Sequence, residues 1–138
     1  MYERILVATD GSEPATRAVD HAVSLARKHG SEVHALAVVD TGRYGEPALS
    51  STELVIDELE DHAHEVLSAI RIQCDESGVD VVTECVHGVP HDEIVRYGDS
   101  IDADVVILGS HGLSHTGHHI GSVADRVARS TTRPLMLT

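Results

Sequence analysis

The stretch RILVATDGS, residues 4–12, decides the fold, because a short apolar run there ends in a polar turn. The run from Arg4 to Thr9 predicts a buried strand, and Asp10-Gly11-Ser12 is typical of a tight turn. Behind the turn, alanines and valines recur every three or four positions, which predicts a helix that Ser12 caps and Gly30 ends. The chain therefore begins with a strand, a loop and a helix.

The same unit recurs to the end of the chain. Four further strands are predicted: Val33–Asp40, Val79–Val86, Ala103–Gly109 and Pro134–Thr138. Helices are predicted from about Thr52 to Gly78, from Pro90 to about Ser100, and from Ser122 to Ser130. The longest of these carries an apolar stripe that we expect to be buried: Leu54, Leu59, Ala63, Val66, Leu67, Ile70 and Cys74.

Each predicted strand is a nearly continuous apolar run, which is typical of a parallel sheet covered on both faces. We therefore expect an α/β fold with a five-stranded parallel sheet. At 138 residues, the chain forms one domain, residues 1–138.

The charge balance excludes two classes of partner. There are 23 acidic and 10 basic residues, Lys28 is the only lysine, and the formal net charge is −13. Such a surface repels nucleic acid and anionic lipid, and the lack of Phe and Trp leaves no aromatic platform for stacked bases. An acid-rich, lysine-poor surface is also typical of proteins that stay soluble in concentrated salt, so we expect a halophilic protein.

The cysteines and the hydropathy pattern indicate where the protein works. Cys74 and Cys85 lie in apolar patterns without a CxxC spacing, which predicts buried thiols in a reducing compartment. No apolar run reaches the length of a signal peptide or a membrane span. We expect a cytoplasmic protein with no membrane partner.

Ligands of open parallel sheets bind outside the carboxyl ends of the strands, so the loops after the first and fourth strands are the candidate site. Asp10 is the first residue after the first strand, and two interpretations of it stay open. Its carboxylate accepts hydrogen bonds from a ribose or an adenine amine, or it stabilises its own turn. Asp40, at the end of the second strand, favours the turn interpretation.

The second loop reads GSHGLSHTGHHIGS, residues 109–122. Gly109, Gly112 and Gly121 let a phosphate approach the backbone, and the helix that follows offers its amides and dipole to an anion. Ser122 is expected to cap that helix, with Asp125 completing a capping box, whether or not a phosphate is bound.

The histidines of this loop suggest two further hypotheses. His111, His115, His118 and His119 have metal-like spacings, but glycines interrupt any helix that would align them, so we predict no metal site. The HTGH segment matches the HxGH element of nucleotidyltransferases. That element follows the first strand in nucleotidyltransferases and the fourth strand here, so we interpret the match as chance.

Taken together, the motifs resemble the universal stress protein family from end to end. The matching segments are ILVATDGS (5–12), AVVD (37–40), GVPHDEIV (88–95), ADVVILGSHG (103–112) and GSVADRVARSTTRPLMLT (121–138). The resemblance implies a Rossmann-like, adenine nucleotide α-hydrolase-like fold and a homodimer joined through the C-terminal strand. In one branch of the family it also implies an ATP site built on a G-x2-G-x9-G-S/T loop.

Carried over by position, the resemblance implies that Asp10 binds the nucleoside, the backbone of Val38 binds adenine, and Gly121 and Ser122 bind the phosphates. The full implied set is Ala8, Thr9, Asp10, Val38, Gly109, His111, Gly112, Gly121, Ser122 and Val123. The loop departs from the family pattern, because eight residues rather than nine separate Gly112 from Gly121. One residue fewer shortens the loop that would surround the phosphates by up to about 3.5 Å of chain. Loop histidines can add partial positive charge near neutral pH.

The resemblance implies a regulatory module of the stress response that binds ATP or another adenine nucleotide with Mg²⁺ or Mn²⁺. We predict no catalytic residues and at most slow ATP hydrolysis, because the sequence offers no positioned base and no arginine finger. The alternative is a dimeric interaction module of the same fold that does not bind nucleotide.

Overall fold

The computed structural model of the chain describes residues 2–40, 50–110 and 121–138, with side chains described from residue 54 onward in the second range. Within these ranges, strands and helices alternate as the sequence predicts. The elements are β1 (Arg4–Ala8), α1 (Glu13–His29), β2 (Glu32–Asp40), α2 (Ser50–Glu76), β3 (Asp80–Gly88), α3 (Pro90–Ser100), β4 (Val105–Leu108), α4 (Ser122–Ser130) and β5 (Leu135–Leu137).

The five strands form one parallel sheet in the order β3-β2-β1-β4-β5. β1 lies at the centre, where Ile5 pairs with Val33 of β2 and with Val105 of β4. The predicted five-stranded α/β fold is thus confirmed. β3 and β5 are the edges of the sheet.

Two hydrophobic cores lie on the two faces of the sheet, because successive side chains of a strand point in opposite directions. Ile5 and Val7 of β1 pack with apolar residues of α1 and α2, while Leu6 packs with those of α3 and α4. All three side chains are fully buried. The predicted coverage of both faces follows from this alternation.

The ends of α1 form as the sequence predicts. The Ser12 hydroxyl accepts a hydrogen bond from the Ala15 amide at 3.3 Å, and Gly30 ends the helix in the left-handed region with φ 68°. Pro14 lies in the first turn, where its missing amide hydrogen costs nothing. Both caps satisfy backbone groups that the helix itself leaves without partners.

The predicted apolar stripe of α2 is only partly buried. Ala63, Leu67, Ile70 and Cys74 are in the core, whereas Leu54 is 63% exposed, so the prediction for Leu54 was wrong. The reason is length: 27 helical residues extend about 40 Å, but the nine residues of β3 extend only about 30 Å. The first turns of α2 therefore have no sheet beneath them.

A carboxylate ties the start of β1 to β4. Asp104 accepts hydrogen bonds from the Glu3 amide at 2.7 Å and the Arg4 amide at 3.0 Å. The hydrogen bond from the Arg4 backbone is the main cause that holds the pKa of this carboxyl below its usual range.

In the described ranges, no helix is both long enough and apolar enough to cross a membrane.

Candidate functional site

The candidate site is the crevice at the carboxyl ends of β1 and β4. These strands are neighbours, but α1 packs on one face of the sheet and α4 on the other. The chain therefore leaves the two strands toward opposite faces of the sheet, and both helices begin at the carboxyl ends of the strands. This is the topological switch point at which open parallel sheets bind their ligands.

The first wall of the crevice is the turn after β1. The Ser12 amide donates to Asp10 Oδ1 at 2.9 Å, and the Gly11 amide donates to Thr9 Oγ1 at 3.1 Å. Gly11 has φ 80°, and a Cβ there would lie 2.8 Å from His62 Nε2. The turn-stabilising interpretation of Asp10 is thus confirmed, while its exposed carboxylate leaves the nucleoside contact a prediction.

The carboxyl ends of β1 and β2 carry three further predicted site residues: Ala8, Thr9 and Val38. Ala8 pairs with Leu36, and the Thr9 amide donates to the Leu36 carbonyl at 2.9 Å. Val38 is two residues further along β2, so it lies level with Asp10 and beyond the end of β1. The ladder thus brings the predicted adenine contact and the predicted nucleoside contact to one place.

Gly109 has a structural role that the sequence analysis did not predict. A Cβ at this position would lie 2.7 Å from the Pro14 carbonyl carbon and 2.9 Å from the Ala15 amide nitrogen. These are backbone atoms that cannot move aside. The close packing of β4 against the start of α1 therefore requires a glycine at 109, with or without a phosphate nearby.

Ser110 holds the second wall together, and the sequence analysis missed it. Its amide and its hydroxyl both donate to the Thr138 carbonyl, at 3.0 and 2.8 Å. Its carbonyl accepts a hydrogen bond from the Gly121 amide at 2.5 Å. The two ends of the glycine-rich segment are therefore joined by one hydrogen bond. A polar residue directly after a buried strand was the only signal for this role.

The N-cap of α4 differs from the prediction, although the helix begins at Ser122 as predicted. The N-cap is Gly121, with φ −67° and ψ 155°, and no side chain caps the helix, so the predicted cap by Ser122 was wrong. Ser122 is already helical because Gly121 adopts the extended cap conformation and its carbonyl accepts from the Asp125 amide. The predicted capping box was wrong too, since the Asp125 carboxylate pairs with Arg129 at 3.1 Å.

The first amides of α4 remain as an anion-binding feature of the crevice. The amides of Ser122, Val123 and Ala124 have no acceptor within the helix, and the helix dipole makes this end electropositive. The Gly121 amide, by contrast, is engaged by Ser110. The arrangement therefore offers phosphate the residues after Gly121 rather than Gly121 itself.

Two predicted site residues, His111 and Gly112, lie outside the described residues, as do His115, His118 and His119. In the ranges that are described, no three His, Cys, Asp or Glu side chains are arranged to hold a metal ion. The role of the loop histidines stays a prediction.

The fold and its crevice define an α/β protein of the Rossmann-like class. The universal stress protein family model matches residues 1–138. Universal stress protein MJ0531 of Methanocaldococcus jannaschii is 35% identical over 99% of this chain and 82% of its own length. The chain belongs to the universal stress protein family.

Solved structures share the fold closely. The hypothetical protein MJ0577 of M. jannaschii superimposes with a TM-score of 0.92 at 28% identity, covering 100% of this chain and 96% of its own. A universal stress protein from Archaeoglobus fulgidus in complex with dAMP superimposes with a TM-score of 0.74 at 25% identity. That match covers 99% of this chain and 97% of the A. fulgidus chain.

Proposed function

We propose that this protein binds an adenine nucleotide, ATP in the first instance, and acts as a regulatory module of the stress response. The observation that carries the proposal is the crevice itself, where α1 and α4 leave neighbouring parallel strands toward opposite faces. Support comes from the A. fulgidus relative, whose structure is a complex with dAMP. A nucleotide in the crevice would meet a carboxylate at one wall and helix amides at the other.

In this proposal, Asp10 binds the ribose and the backbone of Val38 binds adenine, with Ala8 and Thr9 forming the floor. The phosphates lie against the hydroxyl of Ser122 and the amides of Ser122 and Val123, because these amides have no intrahelical acceptor. The remainder of the proposed nucleotide site is lined by Gly109, His111, Gly112 and Gly121. Mg²⁺ or Mn²⁺ accompanies the triphosphate and would offset part of its charge against the acidic chain.

We expect hydrolysis to be slow or absent. Efficient phosphoryl transfer needs a positioned base and a cation on the transferred group. On the two helices that begin at the crevice, Arg17 of α1 lies 3.4 Å from Glu13 and Arg129, in the last turn of α4, lies 3.1 Å from Asp125. The nucleotide then acts as a regulatory ligand and is not a substrate that the protein consumes.

We also propose that the protein is a cytoplasmic homodimer joined through β5.

One observation favours a second candidate function, a dimeric interaction module that does not bind nucleotide. The Gly121 amide, which the family pattern assigns to phosphate, donates to the Ser110 carbonyl at 2.5 Å. The loop between Gly112 and Gly121 is also one residue short. The first feature removes one amide donor from a bound triphosphate, and the second departs from the loop length of the ATP-binding branch.

Thermal unfolding in molar salt, with and without millimolar Mg·ATP, separates the two candidates. A ligand that binds only the native state stabilises it by about 2.7 kcal/mol at a hundred times its Kd. We expect a clear rise in Tm with ATP. A smaller rise with AMP would measure the contribution of the β- and γ-phosphates, and dAMP compared with AMP would measure that of the ribose 2′-hydroxyl. An unchanged Tm with every nucleotide would favour the interaction module.

Two glycine variants locate the binding. Gly121→Ala adds a methyl group at the start of α4, where a φ of −67° suits alanine, so we expect the apo protein to fold and the ATP-dependent rise to disappear. Gly30→Ala is the matched control at the opposite edge of the sheet, where a Cβ meets nothing within 4 Å but φ is 68°. It should lower the apo Tm and keep the full rise. Equal rises in both variants would place the nucleotide elsewhere.

A further inference from the structure

A second concave surface lies between α2 and the edge strand β3, away from the crevice. It is a groove of about 300 Å³, at the lower end of the range of small-molecule sites. Its lining residues are His64, Leu67, Ser68, Arg71, Thr83, Glu84 and Cys85. We refer to these residues as the α2–β3 groove.

Most of the polar groups in the α2–β3 groove are hydrogen-bond donors from two elements. His64, Ser68 and Arg71 are spaced by four and three residues, so they share one face of α2. Thr83 and Cys85 alternate with Glu84 on β3 and therefore face α2. Arg71 Nη2 donates to Thr83 Oγ1 at 3.0 Å, which fixes the guanidinium between helix and strand.

The described partner of Arg71 is a neutral hydroxyl, and, like Arg4, Arg27 and Arg126, Arg71 has no described carboxylate within 4 Å. Among the described residues, Arg17, Arg96, Arg129 and Arg133 each lie within 4 Å of a carboxylate. Arg71 forms no such ion pair in the same ranges, although the chain has 23 acidic residues. Its positive charge at the groove is therefore not paired with a carboxylate of the described residues.

Two glutamates near the groove, Glu60 and Glu84, act on the pKa of Cys85, but neither forms an ion pair with Arg71. Glu60 lies one turn from His64 and contacts His87 Nε2 at 2.5 Å. The Glu84 side chain alternates to the other face of β3, where its charge raises the pKa of Tyr97 after the larger effect of burial. Burial, followed by the charges of Glu60 and Glu84, raises the pKa of the Cys85 thiol. Cys85 therefore presents a neutral S–H group rather than a repelling thiolate.

We propose that the α2–β3 groove is a second ligand site, which binds a small oxyanion of the phosphate or carboxylate class against Arg71, Ser68 and Thr83. The planar guanidinium matches either oxyanion in a bidentate geometry. The two hydroxyls and the His64 ring complete the set of polar groups around it. The site is independent of the crevice, so it stands or falls without the nucleotide proposal.

The test is a titration of the ¹⁵N-labelled full chain, followed by amide and arginine side-chain NMR signals. Inorganic phosphate and succinate are added separately at constant ionic strength, with sodium chloride as the third arm. We expect saturable shifts of Ser68, Arg71 and Thr83 with phosphate or succinate, and the better ligand identifies the class. Shifts no larger than those with chloride would overturn the site. Shifts confined to Ser122 and Val123 would do the same, since they would place the anion in the crevice.

Variants make the assignment specific. Arg71→Gln removes a charged hydrogen-bond donor and should weaken binding by at least about tenfold. Thr83→Val keeps the shape of the side chain, so it carries the test if Arg71→Gln fails to fold. Arg126→Gln is the matched control, an exposed arginine on α4. Full affinity in both groove variants would overturn the proposal.

Cys85 provides a second readout. A bound oxyanion should slow the reaction of this half-buried thiol with an alkylating reagent, and the slowing should be lost in Arg71→Gln. Cys74 is fully buried and serves as the internal control in the same sample. A labelling rate that saturating phosphate and saturating succinate both leave unchanged would contradict binding in the groove.

Discussion

Gly98 is buried and Gly109 is half-buried, and their surroundings differ. A Cβ at Gly109 would meet the backbone of Pro14 and Ala15 at 2.7–2.9 Å, whereas a Cβ at Gly98 would meet Leu6 Cδ2 at 3.5 Å, an ordinary contact. The sequence predicted Gly109 to be part of a phosphate-binding loop. It did not indicate that the start of α1 packs against this glycine. Contacts between residues nearly a hundred positions apart have no local signature in the chain.

We expect Gly109→Ala to lower the free energy of unfolding by about 1–3 kcal/mol, because the methyl group overpacks a rigid backbone. Gly98→Ala is the matched control in the interior of α3, where alanine should stabilise by about 0.5–1 kcal/mol. Denaturant unfolding without nucleotide measures both. A neutral Gly109→Ala variant would show that α1 and β4 can separate at little cost.

Asp104 gives the fold a pH dependence with a defined sign. Its pKa lies below the ordinary value of 3.8 because the Arg4 and Glu3 amides bind the ionised form. The stabilisation is complete above the unfolded pKa and is lost as the pH falls through the lower, folded pKa. We expect Asp104→Asn to be less stable than the parent at neutral pH.

The same variant should converge with the parent in acid, since both side chains are then uncharged. Unfolding free energies measured from pH 7 to pH 2 test this convergence. A stability difference that is constant with pH would mean that the Asp104 charge contributes nothing and that only its shape matters.

The elements themselves were largely predictable, because apolar runs and turn residues are local signals. α3 and α4 begin and end where the sequence predicts, and the strands differ by one or two residues at their ends. The exposed Leu54 was not predictable, since periodicity does not reveal how far α2 outruns the sheet. The cap of α4 was also missed, because Gly and Ser in sequence both suit an N-cap and only the dihedral angles decide.

The two serines at helix starts provide a matched pair. Ser12→Ala removes the hydroxyl that accepts from the Ala15 amide, so we expect a loss of about 0.5–2 kcal/mol. Ser122→Ala removes no capping bond and should stay within about 0.5 kcal/mol of the parent. Unfolding without nucleotide measures both variants. Equal losses would mean that Ser122 caps α4 in solution after all.

At the scale of the whole molecule, β5 pairs only with β4 among the described strands, and in the proposed dimer a second copy joins at its other side. The Pro134 carbonyl and the Thr138 amide bond to β4, so the peptide groups of Leu135 and Leu137 point to the free edge. Met136 is 39% exposed beside them. An uncovered edge strand is a ready template for pairing.

We expect Leu137→Pro to yield monomers, because proline removes an amide donor from the free edge. Leu137→Ala loses similar packing but keeps the amide, so it should remain a dimer. Sedimentation equilibrium distinguishes them. Dimers in both variants would show that the subunits meet at another surface, and monomeric parent protein would end the proposal of a β5 dimer.

The net charge of −13 predicts a dependence on salt. Self-repulsion destabilises the compact state, and salt shortens its range from about 10 Å at 0.1 M to about 3 Å at 1 M. We expect Tm to rise steeply across this interval and equally in sodium and potassium chloride. A Tm that does not change with salt would show that repulsion between the acidic side chains does not destabilise the folded protein at low salt.

The central position of β1 also determines the order in which the chain can assemble. On the ribosome, β2 emerges soon after β1 and β3 follows by Gly88, so three of the five strands can pair early. The other side of β1 must wait for Val105, a hundred positions after its partner Ile5. Such distant pairing is slow and leaves an apolar edge open meanwhile. The nascent protein is therefore most prone to aggregate, and most in need of a chaperone, between the completion of β3 and the arrival of β4.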